Sequence, residues 1–154
     1  SPFFIHAPAV TNTSEERDIY FSSTTVKLVS EKWNALDLLI CGIGTFSDVD
    51  ANVRERYTGE RERYRQLKSA HAVGDIGARY FDIDGKFIKD NYCDRVVGMN
   101  DKNLQSVKTI LCLASGVEKA YAILGTLRLG LIDILVCDEH TAKLVLEIDG
   151  STLP

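Results

Sequence analysis

The chain has 154 residues, 45% of them apolar and 26% charged, with a formal net charge of −4. That composition is one of an ordinary globular domain large enough for a real core, and without a basic block it offers no direct grip on nucleic acid. No apolar run approaches the roughly 20 residues of a membrane-crossing helix, and Ser1-Pro-Phe-Phe-Ile-His6 lacks the charged and long apolar regions of a signal peptide.

In chain order, residues 3–7 form a short apolar run closed by Pro8, which reads as an edge strand. Thr13-Ser-Glu-Glu16 has the pattern of a capping box opening a helix to about Phe21. A second helix follows over 24–34, with Val26, Val29 and Trp33 on one face. Asp37-Leu-Leu-Ile-Cys-Gly42 is continuously apolar past its first residue and predicts a strand buried on both faces of a parallel sheet. It runs into a glycine-bearing loop, Gly42-Ile-Gly44-Thr45. Residues 48–68 are dense in charge, including Arg54, Arg56, Arg61, Arg63 and Arg65. They predict a solvated helix over 60–70, from which one arginine could turn toward a pocket.

His71-Ala-Val-Gly-Asp-Ile-Gly77 places a glycine-flanked aspartate before the next strand, and residues 78–88 predict a hairpin turning at Asp84-Gly85. Residues 94–98 read as a short extended piece and 103–107 as one or two helical turns. Ile110 to Ala114 is an apolar strand, Ser115-Gly116 a turn, and an alanine-rich helix runs from about Val117 to a stop at Gly130. Residues 131–136 form another buried strand, and 140–146 the last helix, with Asp138 near its start. Cys41, Cys112 and Cys137 fall inside apolar strand-like runs. This is the pattern of small core residues in a reducing cytoplasm rather than of disulfides or zinc. Neither metal nor cofactor is expected.

Alternating strands and helices around a hairpin imply an α/β fold with a mainly parallel, Rossmann-like sheet. Ligands of such sheets sit beyond the carboxyl ends of the strands. Gly42-Ile-Gly44, Gly74-Asp75, Ser115-Gly116 and Asp138-Glu139 could all gather there. A strand, a small-residue turn and a helix start can hold an anion, and Lys119, one turn in, could add a full charge. The plainer alternative at these residues is a tight connection followed by a solvated lysine. Asp75 can equally be a turn aspartate, and Asp138 an N-cap.

Four segments then carry a resemblance. Val73-Gly-Asp-Ile-Gly-Ala-Arg-Tyr-Phe-Asp-Ile-Asp-Gly85, Arg95-Val-Val-Gly-Met99, Ala114-Ser-Gly-Val-Glu-Lys-Ala-Tyr-Ala-Ile123 and Gly130-Leu-Ile-Asp-Ile-Leu-Val-Cys-Asp-Glu-His-Thr-Ala142 resemble the SorC family of bacterial transcriptional regulators. They match, in order, its C-terminal sugar-binding domain. The resemblance implies a fold like that of glucosamine-6-phosphate deaminase and ribose-5-phosphate isomerase. It also implies a sugar or sugar-phosphate effector that alters oligomerisation (dimer or tetramer) and operator binding by a separate helix-turn-helix.

By that resemblance Ser115, Gly116 and Lys119 would hold a phosphate, although the turn reads Ser-Gly where the family often has Gly-Gly. Asp75 would accept hydrogen bonds from sugar hydroxyls, Asp138 and Glu139 would supply the family's acidic pair, and Gly44 would line the same edge. The chain is expected to be one partial domain, lacking the helix-turn-helix and the domain's first strand and helix. The other reading is a sugar-phosphate isomerase or deaminase on the same fold, with Asp75, or Asp138 and Glu139 beside His140, as base. No triad, metal-spaced cluster or phosphate loop supports it, so a sensor without catalytic residues is the expectation.

Overall fold

The computed structural model describes residues 2–46 and 61–150, and the chain divides into two compact units. In chain order the elements are helices α1 (Ser14–Ser22) and α2 (Thr24–Trp33), strands β1 (Leu38–Gly42) and β2 (Gly44–Thr45), helix α3 (Arg61–Ser69), strands β3 (Ala72–Ile76) and β4 (Arg79–Asp82), helix α4 (Asp101–Ser106), strand β5 (Thr109–Leu113), helix α5 (Ala120–Arg128), strand β6 (Ile134–Val136) and helix α6 (Glu139–Asp149). Short 3₁₀ turns lie at Cys93–Arg95 and Val117–Lys119.

The first unit takes residues 1–39 and 90–109. Thr13 caps α1 by accepting the Glu16 amide at 3.1 Å. Glu16 reaches back one residue further than a capping box requires, to the Asn12 amide at 2.8 Å. Val26 and Trp33 bury the inner face of α2, and Trp33 meets Phe21 edge to face at 6.0 Å. The edge strand expected at residues 3–7 does not form, and Phe3 and Phe4 are exposed. Pairing begins three residues beyond it, where Val10 bridges antiparallel to Val96 and the Val97 amide donates to the Ala9 carbonyl. An apolar run with no strand beside it has nothing to satisfy its backbone groups but water.

The second unit, residues 40–89 and 110–154, holds two small sheets. One has strand order β1-β5-β6, with β5 and β6 parallel and joined through α5. The other is antiparallel, in order β2-β3-β4. The α/β class with a parallel sheet and a central hairpin is therefore what forms.

Two details of the hairpin differ from the reading of the sequence. Gly74 and Asp75 lie inside β3, not in a loop before it. The main turn is Gly77-Ala78, a two-residue connection with both residues at positive φ (59° and 64°), the geometry that suits the twist of paired strands. Asp84-Gly85 makes a second, smaller reversal that ends in a single bridge, Phe81 to Phe87.

Helix α5 packs against β3, β4 and α6 and buries Ala120, Ala122, Ile123, Leu124 and Thr126. The approach is close because both sides are small. A Cβ on Gly74 would lie 2.6 Å from the Ala122 Cβ and 2.5 Å from the Gly44 carbonyl oxygen. One on Gly125 would meet the Asp82 carbonyl oxygen at 2.8 Å. Gly85, at φ 76°, sits against the backbone of Arg128 and Leu129. The Arg128 guanidinium donates to the Ile83 carbonyl at 3.2 Å and pairs with Asp149 at 2.7 Å, fastening hairpin, α5 and α6 at one end.

The parallel sheet corrects a second expectation. Strands β1 and β6 are buried on one face only. Ile40 is 59%, Leu113 49% and Val136 48% exposed, and Leu113 stands in register beside Val136. Apolar runs of this kind usually mark strands covered on both faces. Among the described residues, no layer covers this one.

Helix α3 is less solvated than its charge suggests. Leu67 is buried with Ala72 and Tyr80, Tyr64 stacks on Phe46 at 5.2 Å, and the Arg63 guanidinium lies 5.0 Å from the Tyr80 ring centre. The rest of the charged run, with Arg54 and Arg56, lies outside the described residues.

Candidate functional site

All seven residues singled out from the sequence lie in the second unit: Gly44 opens β2, Asp75 lies near the end of β3, Ser115, Gly116 and Lys119 follow β5, and Asp138 and Glu139 stand where α6 begins after β6. They form two corners and one outlier.

The first corner is built on Asp138. It is the N-cap of α6, and its Oδ1 accepts the Thr141 amide at 2.8 Å. Its Oδ2 accepts from the Ser115 hydroxyl at 2.5 Å, the Thr141 hydroxyl at 2.5 Å and the Gly116 amide at 3.2 Å. The Gly116 amide also donates to the Thr141 hydroxyl oxygen at 2.9 Å. The Ser115 hydroxyl first, and then the Thr141 side chain, hold the Asp138 carboxyl far below the usual carboxylate range. Gly116 has φ 116°, which disfavours any other residue, and the Glu118 carboxylate folds back to where a Cβ would be. The turn expected to receive an external anion thus already holds the protein's own carboxylate. Asp138 joins the ends of β5 and β6, and of the two roles open to it the capping one is realised.

Thr141 is the residue that sequence reasoning missed. It is fully buried and ties the α6 start to the Ser115-Gly116 turn. Its position three residues after the N-cap was the available signal.

The second corner joins β2 to β3. Gly44 pairs with Asp75, and a side chain on Gly44 would overlap the Asp75 carboxylate. Asp75 is half-buried, and its Oδ2 accepts the Ala78 amide at 3.1 Å, so the carboxylate helps hold the positive-φ turn at Gly77-Ala78. Lys119 links the two corners: from the turn after β5, its ammonium donates to the Ile43 carbonyl at 2.8 Å. An ammonium carries three donors, so this bond leaves capacity for others.

Glu139 is the outlier. It is exposed and pairs with Lys143 one turn along α6, at 2.5 Å. Of the acidic pair only Asp138 enters the site. His140 is exposed beside it, which does not place an imidazole among the gathered carboxylates.

The strand ends of the parallel sheet and the neighbouring antiparallel β2–β3 pair present one lysine, two carboxylates and glycine turns, the layout of a small-ligand binding domain. Comparison with known proteins agrees. Residues 1–147 match the family model described as "Putative sugar-binding domain". The chain belongs to this family, the sugar-binding domain of SorC-type regulators.

Among its relatives, the sorbitol operon regulator of Klebsiella pneumoniae is 29% identical over 91% of this chain and 44% of that protein. The transcriptional regulator LsrR of an Enterobacter species is 32% identical over 95% of this chain and 46% of its own length. Among solved structures, a transcriptional regulator from Streptococcus pneumoniae superposes with a TM-score of 0.85 at 28% identity, covering 96% of this chain and 56% of that one. Full-length SorC from Klebsiella pneumoniae gives a TM-score of 0.80 at 30% identity, with coverage of 90% and 45%. This chain therefore spans less than half the length of the curated relatives it matches. These relatives are named as regulators, not as enzymes. No helix among the described residues is long and apolar enough to cross a membrane.

Proposed function

We propose that this chain is the effector-binding part of a cytoplasmic bacterial transcription regulator. Its ligand is a sugar or sugar phosphate, held between the Gly44–Asp75 corner and Lys119. Binding shifts the homo-oligomer and, through it, the hold of a helix-turn-helix elsewhere in the full-length protein on operator DNA. The observation that carries the reading is the bond from Lys119 to the Ile43 carbonyl, because it sets a cation next to the strand pair that holds Asp75. With the Gly116 amide engaged by Asp138, and the Lys119 and Ala120 amides by the carbonyls of Gly116 and Val117, the Lys119 ammonium is the group this corner offers an anion.

Thermal-shift measurements on the full-length protein against sugars, polyols and sugar phosphates test the reading. A ligand at a hundredfold over its Kd stabilises by about 2.7 kcal/mol. A stabilising compound recovered unchanged supports a sensor, whereas one converted to product returns the isomerase or deaminase reading. With a hit in hand, Lys119→Ala should weaken a phosphorylated ligand much more than its unphosphorylated counterpart, and Asp75→Asn should weaken both. Equal loss of both ligands in Lys119→Ala would remove the phosphate from the site.

A further inference from the structure

Strands β1 and β5 are neighbours in the parallel sheet, and each carries one cysteine facing the core side. Cys41 is half-buried and Cys112 fully buried, and their sulfurs lie 3.4 Å apart. Neighbouring strands run about 4.8 Å apart, inside the Cα separation of roughly 4.4–6.8 Å that a disulfide spans. Two thiols are thus already in contact on a frame that needs little movement to join them.

We propose that Cys41 and Cys112 form a reversible thiol–disulfide pair, oxidised by hydrogen peroxide and reduced by a small thiol. The two sulfurs are not equivalent. The hydrogen bond from Cys112 lowers the Cys41 thiol's pKa, while that bond, burial and the charge of Cys41 raise that of Cys112. Cys41, which also has the access, is the attacking sulfur. Its thiolate forms an S–O bond as the peroxide O–O bond breaks, and the departing hydroxide takes a proton to become water. The Cys112 sulfur then attacks the Cys41 sulfenic acid. The S–S bond forms as the S–OH bond breaks, and the released hydroxide takes the Cys112 proton as a second water. Two thiols lose two electrons and the peroxide gains them. In a reducing compartment such a pair is reset by exchange with a small thiol, the usual character of disulfides found there.

The place of the pair gives it reach. Cys41 lies two residues before Ile43, whose carbonyl holds Lys119, and Cys112 three residues before Ser115. The bond would tie together the two strands that carry the candidate site. The chemistry itself does not depend on the sugar-binding reading.

The test uses full-length protein, hydrogen peroxide and peptide mapping after alkylation. A cross-linked peptide joining Cys41 to Cys112 is expected, lighter by two hydrogens than its two thiol peptides, with alkylation lost at both positions and retained at Cys93 and Cys137. Dithiothreitol should restore both. Cys112→Ser should leave Cys41 to proceed to sulfinic acid, and Cys41→Ser should leave Cys112 alkylatable only after unfolding. Because the wild-type mapping stands without either variant, a misfolded variant does not decide the matter. Peroxide that drives wild-type Cys41 to sulfinic acid with Cys112 still a thiol, or that pairs either with Cys93 or Cys137, would overturn the proposal.

Discussion

The two sheets of the second unit are built to opposite standards of closeness. In the antiparallel sheet, Gly74 lies so near Ala122 and the Gly44 carbonyl that no side chain fits between them, and Phe81 beneath is fully buried. In the parallel sheet, a row of leucine, isoleucine and valine faces outward, about half exposed. Apolar content, then, does not measure packing. A glycine can mark the tightest place in a domain and a run of aliphatic residues the loosest. The Asp138 corner stands between these extremes. It is polar and at the surface, yet it joins two strand ends through four donors to one carboxylate.

Three substitutions probe that contrast. Gly74→Ala should be the most damaging, because the obstructing atoms include backbone and cannot swing aside. Overpacking of this kind costs about 1–3 kcal/mol, read as a lower midpoint in denaturant. A midpoint equal to wild type would mean that β3 and α5 are looser than described.

Asp138→Asn keeps a good N-cap residue but presents an amide to the Gly116 N–H and two hydroxyls. Since the carboxyl is held below its unfolded value of about 3.9, the stability it contributes is present above that pH and fades as pH falls through and below it. The wild type should lose Tm there, and the variant should begin lower and change less. Parallel acid profiles would show that the corner is not held by charge.

The smallest effect is expected at Val136→Thr, on the open face. In this chain it should change stability by no more than about 0.5 kcal/mol, as a surface substitution does. The same substitution costing well over that in the full-length protein would show that the face is covered there.

Much of the element order was legible in the sequence because caps and stops are local chemistry. Thr13, Asp138 and Gly130 each act where their type predicts. Asp75 and Gly74 lie in β3 rather than in the loop that glycine beside aspartate usually makes. Here the glycine answers to α5, some fifty residues further along the chain. The Gly77-Ala78 turn was hidden for a related reason. Alanine seldom takes φ 64°, and what accompanies it is the Asp75 carboxylate receiving its amide. The outward face of the parallel sheet was invisible because periodicity tells which residues are apolar, not what lies over them. Of the candidate site, the strand ends and turns that carry it were legible, and the way their side chains group was not. That Asp138 would fill the turn meant for an anion, and that Glu139 would turn to Lys143, follow from side-chain directions at one helix start.

Arg128 has a mechanical meaning beyond its ion pair. By gripping the hairpin's far turn and the end of α6 together, it clamps one end of a frame whose other end carries Asp75 and, just before α5, Lys119. In the proposed site, that carboxylate and that ammonium would therefore act as a caliper set before any ligand arrives.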